Sequence, residues 1–285
     1  MFNKVAIIGP GLLGGSICKG LREINSGIRI DVYARNPQTI RKAVEDGYVD
    51  RVDAIQNCDL AGVDLAVIAT PIIPSLALIT NLLNRPDLGS GALVIDVGSV
   101  KGAVVCHAEK QKNAARFIGC HPMAGSEKMG FDHSSAGLYR GSTVIVTPHA
   151  KNARADIAVI AAFWEALGAR VVETAADEHD AIVARTSHLP HLLACALVDV
   201  VRERNCEDVQ SFIGNGFRDV TRISMGSADM WADILRTNTG HVRAALAAYA
   251  AKLDEIARLL DRVETAPDDL RRFFNAVKNY REKIN

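Results

Sequence analysis

The sequence predicts an α/β fold: an N-terminal Rossmann domain with a doubly wound, mainly parallel sheet over residues 1–174, then an all-α domain over 175–285. Three observations carry this. Short apolar runs alternate with helical patterns as far as about Thr174, a glycine-rich loop follows the first run, and strand-like periodicity then stops. Strands that are apolar on both faces belong to parallel sheets covered by helices, and the strand–helix alternation supplies the crossovers.

In chain order, Val5–Ile8 is a short apolar run ending at Gly9, and Ile28–Tyr33 alternates. Leu65–Ala69 and Leu93–Val97 are continuous apolar runs; Phe117–Cys120, Val144–Val146 and Arg170–Val172 are weaker. Between them, Leu13–Arg22, Pro37–Asp46, Ser75–Leu83, Val100–Gln111 and Asn152–Leu167 read as crossover helices. Beyond Thr174, Asp177–Arg204 reads as one long helix bent near Pro190, because a mid-helix proline removes a hydrogen bond and clashes with the preceding turn. Cys206–Met225 gives shorter helical pieces. His241–Val263 and Asp268–Lys283 complete the helical domain. The first of these carries an apolar stripe, Val242, Leu246, Tyr249, Leu253, Ile256 and Leu260, which fits a homodimer seam or an internal core.

Composition narrows the function. The 285 residues carry 33 basic and 33 acidic side chains, so nothing favours non-specific binding to nucleic acid. No run of 18 apolar residues predicts a membrane span. The six cysteines are scattered, without CxxC or disulfide-like spacing, and MFNKVAIIGPG enters a strand without the regions of a secretory leader. Reduced thiols in a cytoplasmic protein are the expectation.

Gly9-Pro10-Gly11-Leu12-Leu13-Gly14 fits G-x-G-x-x-G, and its place between a strand and an amphipathic helix makes it a dinucleotide cradle. Gly9 permits the turn, Gly11 admits a pyrophosphate, and Gly14 lets helix and strand pack closely. Leu12 and Leu13 open the helix whose N-terminus faces the phosphates. Thr70 and Pro71 end another apolar run, where ligands of such sheets lie. The acid that ordinarily reads the ribose is missing: the second strand tip is Tyr33-Ala34-Arg35-Asn36, with Asp31 in mid-strand. Ala34 leaves room for a 2′-phosphate, Arg35 offers it a cation, and Asn36 offers it a donor or caps the next helix. The expected cofactor is therefore NADP in preference to NAD.

Three segments carry further chemistry. Asp96-Val97-Gly98-Ser99-Val100-Lys101-Gly102 and His121-Pro122-Met123-Ala124-Gly125-Ser126-Glu127 each follow an apolar run. The third group lies among the helices: Ser187-His188-Leu189-Pro190-His191, then Phe217-Arg218-Asp219-Val220-Thr221-Arg222, then Met230-Trp231-Ala232-Asp233. Together with the glycine loop, these segments resemble the prephenate/arogenate dehydrogenase family of tyrosine biosynthesis, from the first strand to about residue 240.

That resemblance implies oxidative decarboxylation of prephenate or arogenate, with hydride transfer to a nicotinamide and no metal. Such a reaction needs an acceptor for the hydroxyl proton and cationic donors for carboxylates. His121 is the candidate acceptor. Ser99 would hydrogen-bond the same hydroxyl or bridge it to the cofactor, and its position before a helical pattern also suits a helix cap. Arg222 is the candidate partner of the ring carboxylate, with Arg218 four residues away on the same helical face. His188 and His191 share a helix side and suit the substrate side chain, although core packing or half a metal site would use the same spacing. Trp231 is the candidate pocket wall, and Glu127 and Asp219 are implied as an electrostatic gate. The competing readings are another Rossmann-plus-helical dehydrogenase acting on a hydroxyacid or imine, and a nucleotide sensor without turnover.

Overall fold

The structure is a computed structural model, described here for residues 2–125, 130–203 and 209–284. Ser126 and Glu127 of the predicted site, and Arg204 and Cys206, lie outside the described residues.

An eight-stranded sheet organises the chain, in the order β3-β2-β1-β4-β5-β6-β7-β8. Its strands are β1 (Lys4–Ile8), β2 (Arg29–Ala34), β3 (Arg51–Ala54), β4 (Leu65–Ile68), β5 (Leu93–Asp96), β6 (Phe117–Pro122), β7 (Thr143–Thr147) and β8 (Arg170–Glu173). All neighbours pair in parallel except β6 and β7, which are antiparallel. The order reverses between β1 and β4, so a crevice opens at their carboxyl ends. The central strands β1, β4 and β5 are almost fully apolar and buried, because helices cover both faces.

The helices of the sheet region are α1 (Leu12–Ile24), α2 (Lys42–Glu45), α3 (Ile72–Asn84), α4 (Gly102–Glu109) and α5 (Arg154–Ala166). The predicted helix over Pro37–Asp46 is instead a 3₁₀ turn, Pro37–Ile40, followed by the single turn of α2. Strand β3 was not foreseen: its four residues alternate arginine and aspartate with valine and alanine, and all are only half-buried at the sheet edge.

Beyond the sheet come α6 (Ala176–Val183), α7 (Leu189–Glu203), α8 (Asn215–Thr221) and α9 (Ala228–Thr237). The long helix expected over Asp177–Arg204 is continuous in direction of chain but not in kind. A wide π turn, Ala184–His188, separates α6 from α7. Pro190 follows that turn immediately, so the wider winding takes up the backbone conflict a proline creates. By length and mean hydropathy Ala176–Glu203 would suffice to cross a bilayer. Its buried His179, Asp180, His188 and His191 instead mark it as an internal helix of a globular unit, since protein groups satisfy the first three.

Packing groups residues 1–239 into one compact unit and 240–285 into a second. The second holds nearly all of α10 (Thr239–Leu260) and α11 (Pro267–Lys283). On these helices Leu246, Leu253, Leu260, Phe274, Val277 and Tyr280 are exposed in the single chain.

Candidate active site

The glycine loop has the geometry its sequence demanded. Gly9 sits at φ +90°, and a Cβ there would lie 2.7 Å from Thr70 Cγ2 and 2.8 Å from the Ala69 carbonyl oxygen. A Cβ at Gly14 would lie 2.7 Å from the Gly9 carbonyl oxygen and 3.0 Å from Ile7 Cγ2, which is the close approach of helix to strand. A Cβ at Gly11 would meet nothing within 4 Å. The loop therefore encloses open space beside an α1 N-terminus that, among the described residues, no side chain caps, and whose first turn contains no acid. Those residues fit a dinucleotide pyrophosphate, with N–H groups and the positive dipole end directed at it. Thr70, from the end of β4, is held by its hydroxyl 2.9 Å from that of Ser75, and Pro71 opens α3.

At the tip of β2, Ala34 is buried and Arg35 exposed, with no ion pair or side-chain hydrogen bond for Arg35 among the described residues. The Asn36 side-chain oxygen accepts from Gln38 N at 3.3 Å, so the capping role is realised, and its amide hydrogens remain for a ligand. Asp31 is buried in mid-strand between Lys4, at 3.3 Å, and Arg29, at 3.1 Å.

His121 differs from expectation in its support. It does not follow the strand tip but lies within β6, opposite Ile145 of β7, and Pro122 continues the strand. Parallel pairing of β6 with β5 stops at Ile118, so Pro122 has no ladder bond to donate on that side. Nor does Ser99 cap α4. The cap position is Lys101, and the first amides are taken from across the fold: Asp180 accepts Lys101 N and Gly102 N, each at 2.8 Å. That leaves the half-buried Ser99 hydroxyl free of intramolecular bonds among the described residues. A fully buried Lys101–Asp96 pair ties this loop to β6. Lys101 Nζ donates to the Cys120 carbonyl at 2.8 Å, and Asp96 accepts Cys120 N at 3.2 Å, one residue before His121.

The structure joins most of the predicted side chains into one chain of contacts and adds members. His121 Nδ1 lies 2.8 Å from His179 Nε2, and His179 Nδ1 lies 2.8 Å from Asp180 Oδ1. Asn238 Nδ2 donates to the Asp180 carbonyl at 2.9 Å and to His188 Nδ1 at 3.2 Å. The His188 ring meets Trp231 edge to face at 6.1 Å, and Trp231 stacks on His191 at 3.6 Å and 8°. The pocket-wall role expected of Trp231 is thus partly a packing role: the indole holds His191 flat. Gly226 makes room for it, since a Cβ there would lie 2.5 Å from Trp231 Nε1.

The electrostatics follow from burial. Desolvation holds the His121 imidazole well below its ordinary value, and His179, Lys101 and His188 reinforce this. Burial also lowers His188 to about 4, against the pull of Asp180. Because the Asp180 carbonyl can only accept, the Asn238 group between it and His188 is the NH₂; His188 Nδ1 therefore accepts and its proton sits on Nε2. Burial lowers His191 as well, opposed by the Ile223 backbone, although its Nδ1 makes no hydrogen bond. Its Nε2 lies 3.5 Å from Cys195 Sγ. These histidines are neutral donors and acceptors, not cations.

The predicted cation is Arg222. It opens a 3₁₀ turn, Arg222–Met225, after α8 has ended at Thr221, yet its backbone is helical and its N–H donates to the Arg218 carbonyl one α-turn back, so the two arginines share the face as expected. Both arginines are exposed and have no ion pair among the described residues. Among those residues, no group of three or more His, Cys, Asp or Glu is arranged to hold a metal.

Sequence reasoning passed over His179, Asp180 and Asn238. A signal existed: Asp180 and His188 are about two helical turns apart, a spacing that returns to one face. Glu178-His179-Asp180, however, reads as the solvated start of a helix.

Residues 17–173 match the family model "Prephenate dehydrogenase, nucleotide-binding domain", and residues 175–276 match "Prephenate dehydrogenase, dimerization domain". The chain belongs to the prephenate dehydrogenase family. It is 30% identical over 291 residues to the prephenate dehydrogenase of Bacillus subtilis strain 168, covering 100% of this chain and 76% of that one. It is 28% identical to the cyclohexadienyl dehydrogenase of Zymomonas mobilis, covering 90% and 88%. Among solved structures, the prephenate dehydrogenase of Aquifex aeolicus in complex with hydroxyphenyl propionate and NAD⁺ superimposes with a TM-score of 0.92 at 32% identity, covering 100% and 99%. Synechocystis arogenate dehydrogenase gives a TM-score of 0.83 at 27% identity, covering 99% and 100%.

Proposed function

We propose that this chain catalyses the oxidative decarboxylation of prephenate to 4-hydroxyphenylpyruvate, or of arogenate to tyrosine, coupled to a nicotinamide cofactor. The observation that carries the reading is the neutral His121 imidazole at the carboxyl edge of the sheet, linked through His179, Asp180 and Asn238 to the His188–Trp231–His191 wall. A nicotinamide held at the glycine loop would supply the acceptor for the hydride of the carbinol carbon. His121 accepts the hydroxyl proton, and the free Ser99 hydroxyl orients the same oxygen. Arg222 holds the ring carboxylate until it departs as carbon dioxide, and His188 and His191 donate to the substrate side chain. Mixing the protein with prephenate or arogenate and either NAD⁺ or NADP⁺ tests this directly. Reduced cofactor should accumulate, and no change in absorbance with any of the four pairs would remove the proposal.

NADP is the expected preference. Ala34 places no carboxylate at the ribose, and Arg35 stands exposed and unpaired among the described residues. The expected result is a higher kcat/KM with NADP⁺ at saturating prephenate, and a selective loss of that value in Arg35→Ala. A wild type that favours NAD⁺, or an Arg35→Ala variant that keeps its NADP⁺ value, would show the strand tip to be neutral toward the 2′-phosphate.

The second unit supports a homodimer. Leu246, Leu253 and Leu260 of the predicted stripe are exposed in the single chain, as are Phe274, Val277 and Tyr280. Large apolar side chains left exposed along both helices of this unit support an association face. Light scattering at micromolar concentration should give twice the 30.7 kDa chain mass; a monomer there would refute the assignment.

A further inference from the structure

We infer that Asp180 is a positioning residue for the reaction. Through His179 it fixes the tautomer of His121 so that Nε2 carries the lone pair, and with the same carboxylate it clamps the loop that bears Ser99. The inference rests on His121 being the proton acceptor.

The argument follows the protons. The Asp180 carboxylate can only accept hydrogen bonds, and it has three donors: Lys101 N, Gly102 N and His179 Nδ1, each at 2.8 Å. His179 therefore carries a proton on Nδ1. Its Nε2 faces His121 Nδ1 at 2.8 Å, and this nitrogen–nitrogen contact holds one proton. Were that proton on His179 Nε2, His179 would be a cation at a fully buried site beside a second imidazole. The neutral arrangement places it on His121 Nδ1, which leaves His121 Nε2 unprotonated. Turnover then breaks the substrate O–H bond and forms His121 Nε2–H, and the positive charge spreads through the two imidazoles toward Asp180. A carboxylate that orients an imidazole and steadies its charged form is a general solution to this problem.

The second grip of the carboxylate gives the residue its reach. Asp180 Oδ2 holds Gly102 N, and a Cβ at Gly102 would lie 2.8 Å from that oxygen, so the fit leaves no room for a larger residue. Ser99 lies just before this clamp. One side chain on α6 thus sets the direction in which His121 accepts and holds the loop that carries the Ser99 hydroxyl. The charged and titratable groups felt by His121 are His179, Lys101 and His188, with Asp180 behind His179 and Asp96 paired to Lys101.

Two variants separate positioning from folding. In Asp180→Asn the amide can donate to His179 Nδ1, which reverses the chain of protons and puts a hydrogen on His121 Nε2. In His179→Phe the clamp on Lys101 and Gly102 stays, but the link is cut. Both should lower kcat by roughly a hundredfold or more, with the dissociation constant of the cofactor changed less than about threefold. A neutral imidazole keeps its N–H throughout the accessible pH range, so raising the pH should not restore the kcat of Asp180→Asn. Nitrogen-15 NMR of the His121 ring should find the proton on Nδ1 in the wild type and on Nε2 in Asp180→Asn. This reads the tautomer without reference to turnover, so it stands apart from whether His121 is the base. A wild-type His121 protonated on Nε2 overturns the inference, and so does near-normal kcat in both variants. Loss of activity that merely tracks lower thermal stability or weaker cofactor binding, with an unchanged His121 tautomer, also overturns it.

Discussion

Replacing His121 by alanine is expected to lower kcat by about a hundredfold or more while cofactor affinity stays nearly unchanged, as for removal of a general base. The imidazole stands at the end of β6, away from the glycine loop between β1 and α1 that would hold the pyrophosphate. Its removal leaves the sheet core intact but takes the donor from the buried His179 Nε2, so a modest fall in the thermal midpoint should accompany the loss of turnover. The pH profile offers a second check. Burial and three nitrogen neighbours lower the His121 pKa, so the acceptor form persists below the ordinary histidine value of about 6.5. In the free enzyme the acid limb of kcat/KM should therefore fall below pH ~6.5. In His121→Ala that limb should flatten. Near-normal turnover in the variant, or an acid limb above neutrality in the wild type, would remove His121 from the chemistry.

What could be read from the sequence was what depends on local pattern. The cradle was legible because Gly9, Gly11 and Gly14 answer three separate steric demands within six residues, between a strand and a helix. The doubly wound, mainly parallel sheet followed from apolar runs buried on both faces. Strand β3 was missed because its alternation, Arg51-Val52-Asp53-Ala54, is only four residues long and carries one large apolar side chain. The π turn at Ala184–His188 was missed because Pro190 signals a disturbance without saying how the chain absorbs it. Of the candidate side chains, the structure joins His121, His188, His191 and Trp231 in one chain of contacts. The links between them, His179, Asp180 and Asn238, are assembled by contacts spanning 58 and 79 positions, which no local motif records. Lys101 shows the same limit. Its buried ion pair with Asp96 gives the Ser99 loop its anchor, although the sequence shows only a lysine at the start of a helix.

Arg222→Ala should raise the KM for prephenate by roughly two orders of magnitude with a much smaller change in kcat. The estimate comes from the loss of a charge-assisted pair, worth about 1.5–3 kcal/mol, at about 1.4 kcal/mol per tenfold. The structure makes the side chain a clean target. Arg222 is exposed at the start of its 3₁₀ turn and has no ion pair among the described residues, so alanine breaks no internal bond. Exposed substitutions of this kind ordinarily change stability by no more than about 0.5 kcal/mol, so an unchanged unfolding midpoint should accompany the altered KM. Arg222→Lys should recover part of the loss only. It restores a point charge but not the planar fork that meets both oxygens of a carboxylate. The neighbouring histidines cannot replace it, because burial keeps His188 neutral above about pH 4 and lowers His191 as well. Arg218 is the remaining cation of that segment, and Arg218→Ala serves as the control. An unchanged KM in Arg222→Ala with a large rise in Arg218→Ala would transfer the carboxylate contact to α8, and an unchanged KM in both would leave neutral donors as the whole of substrate recognition.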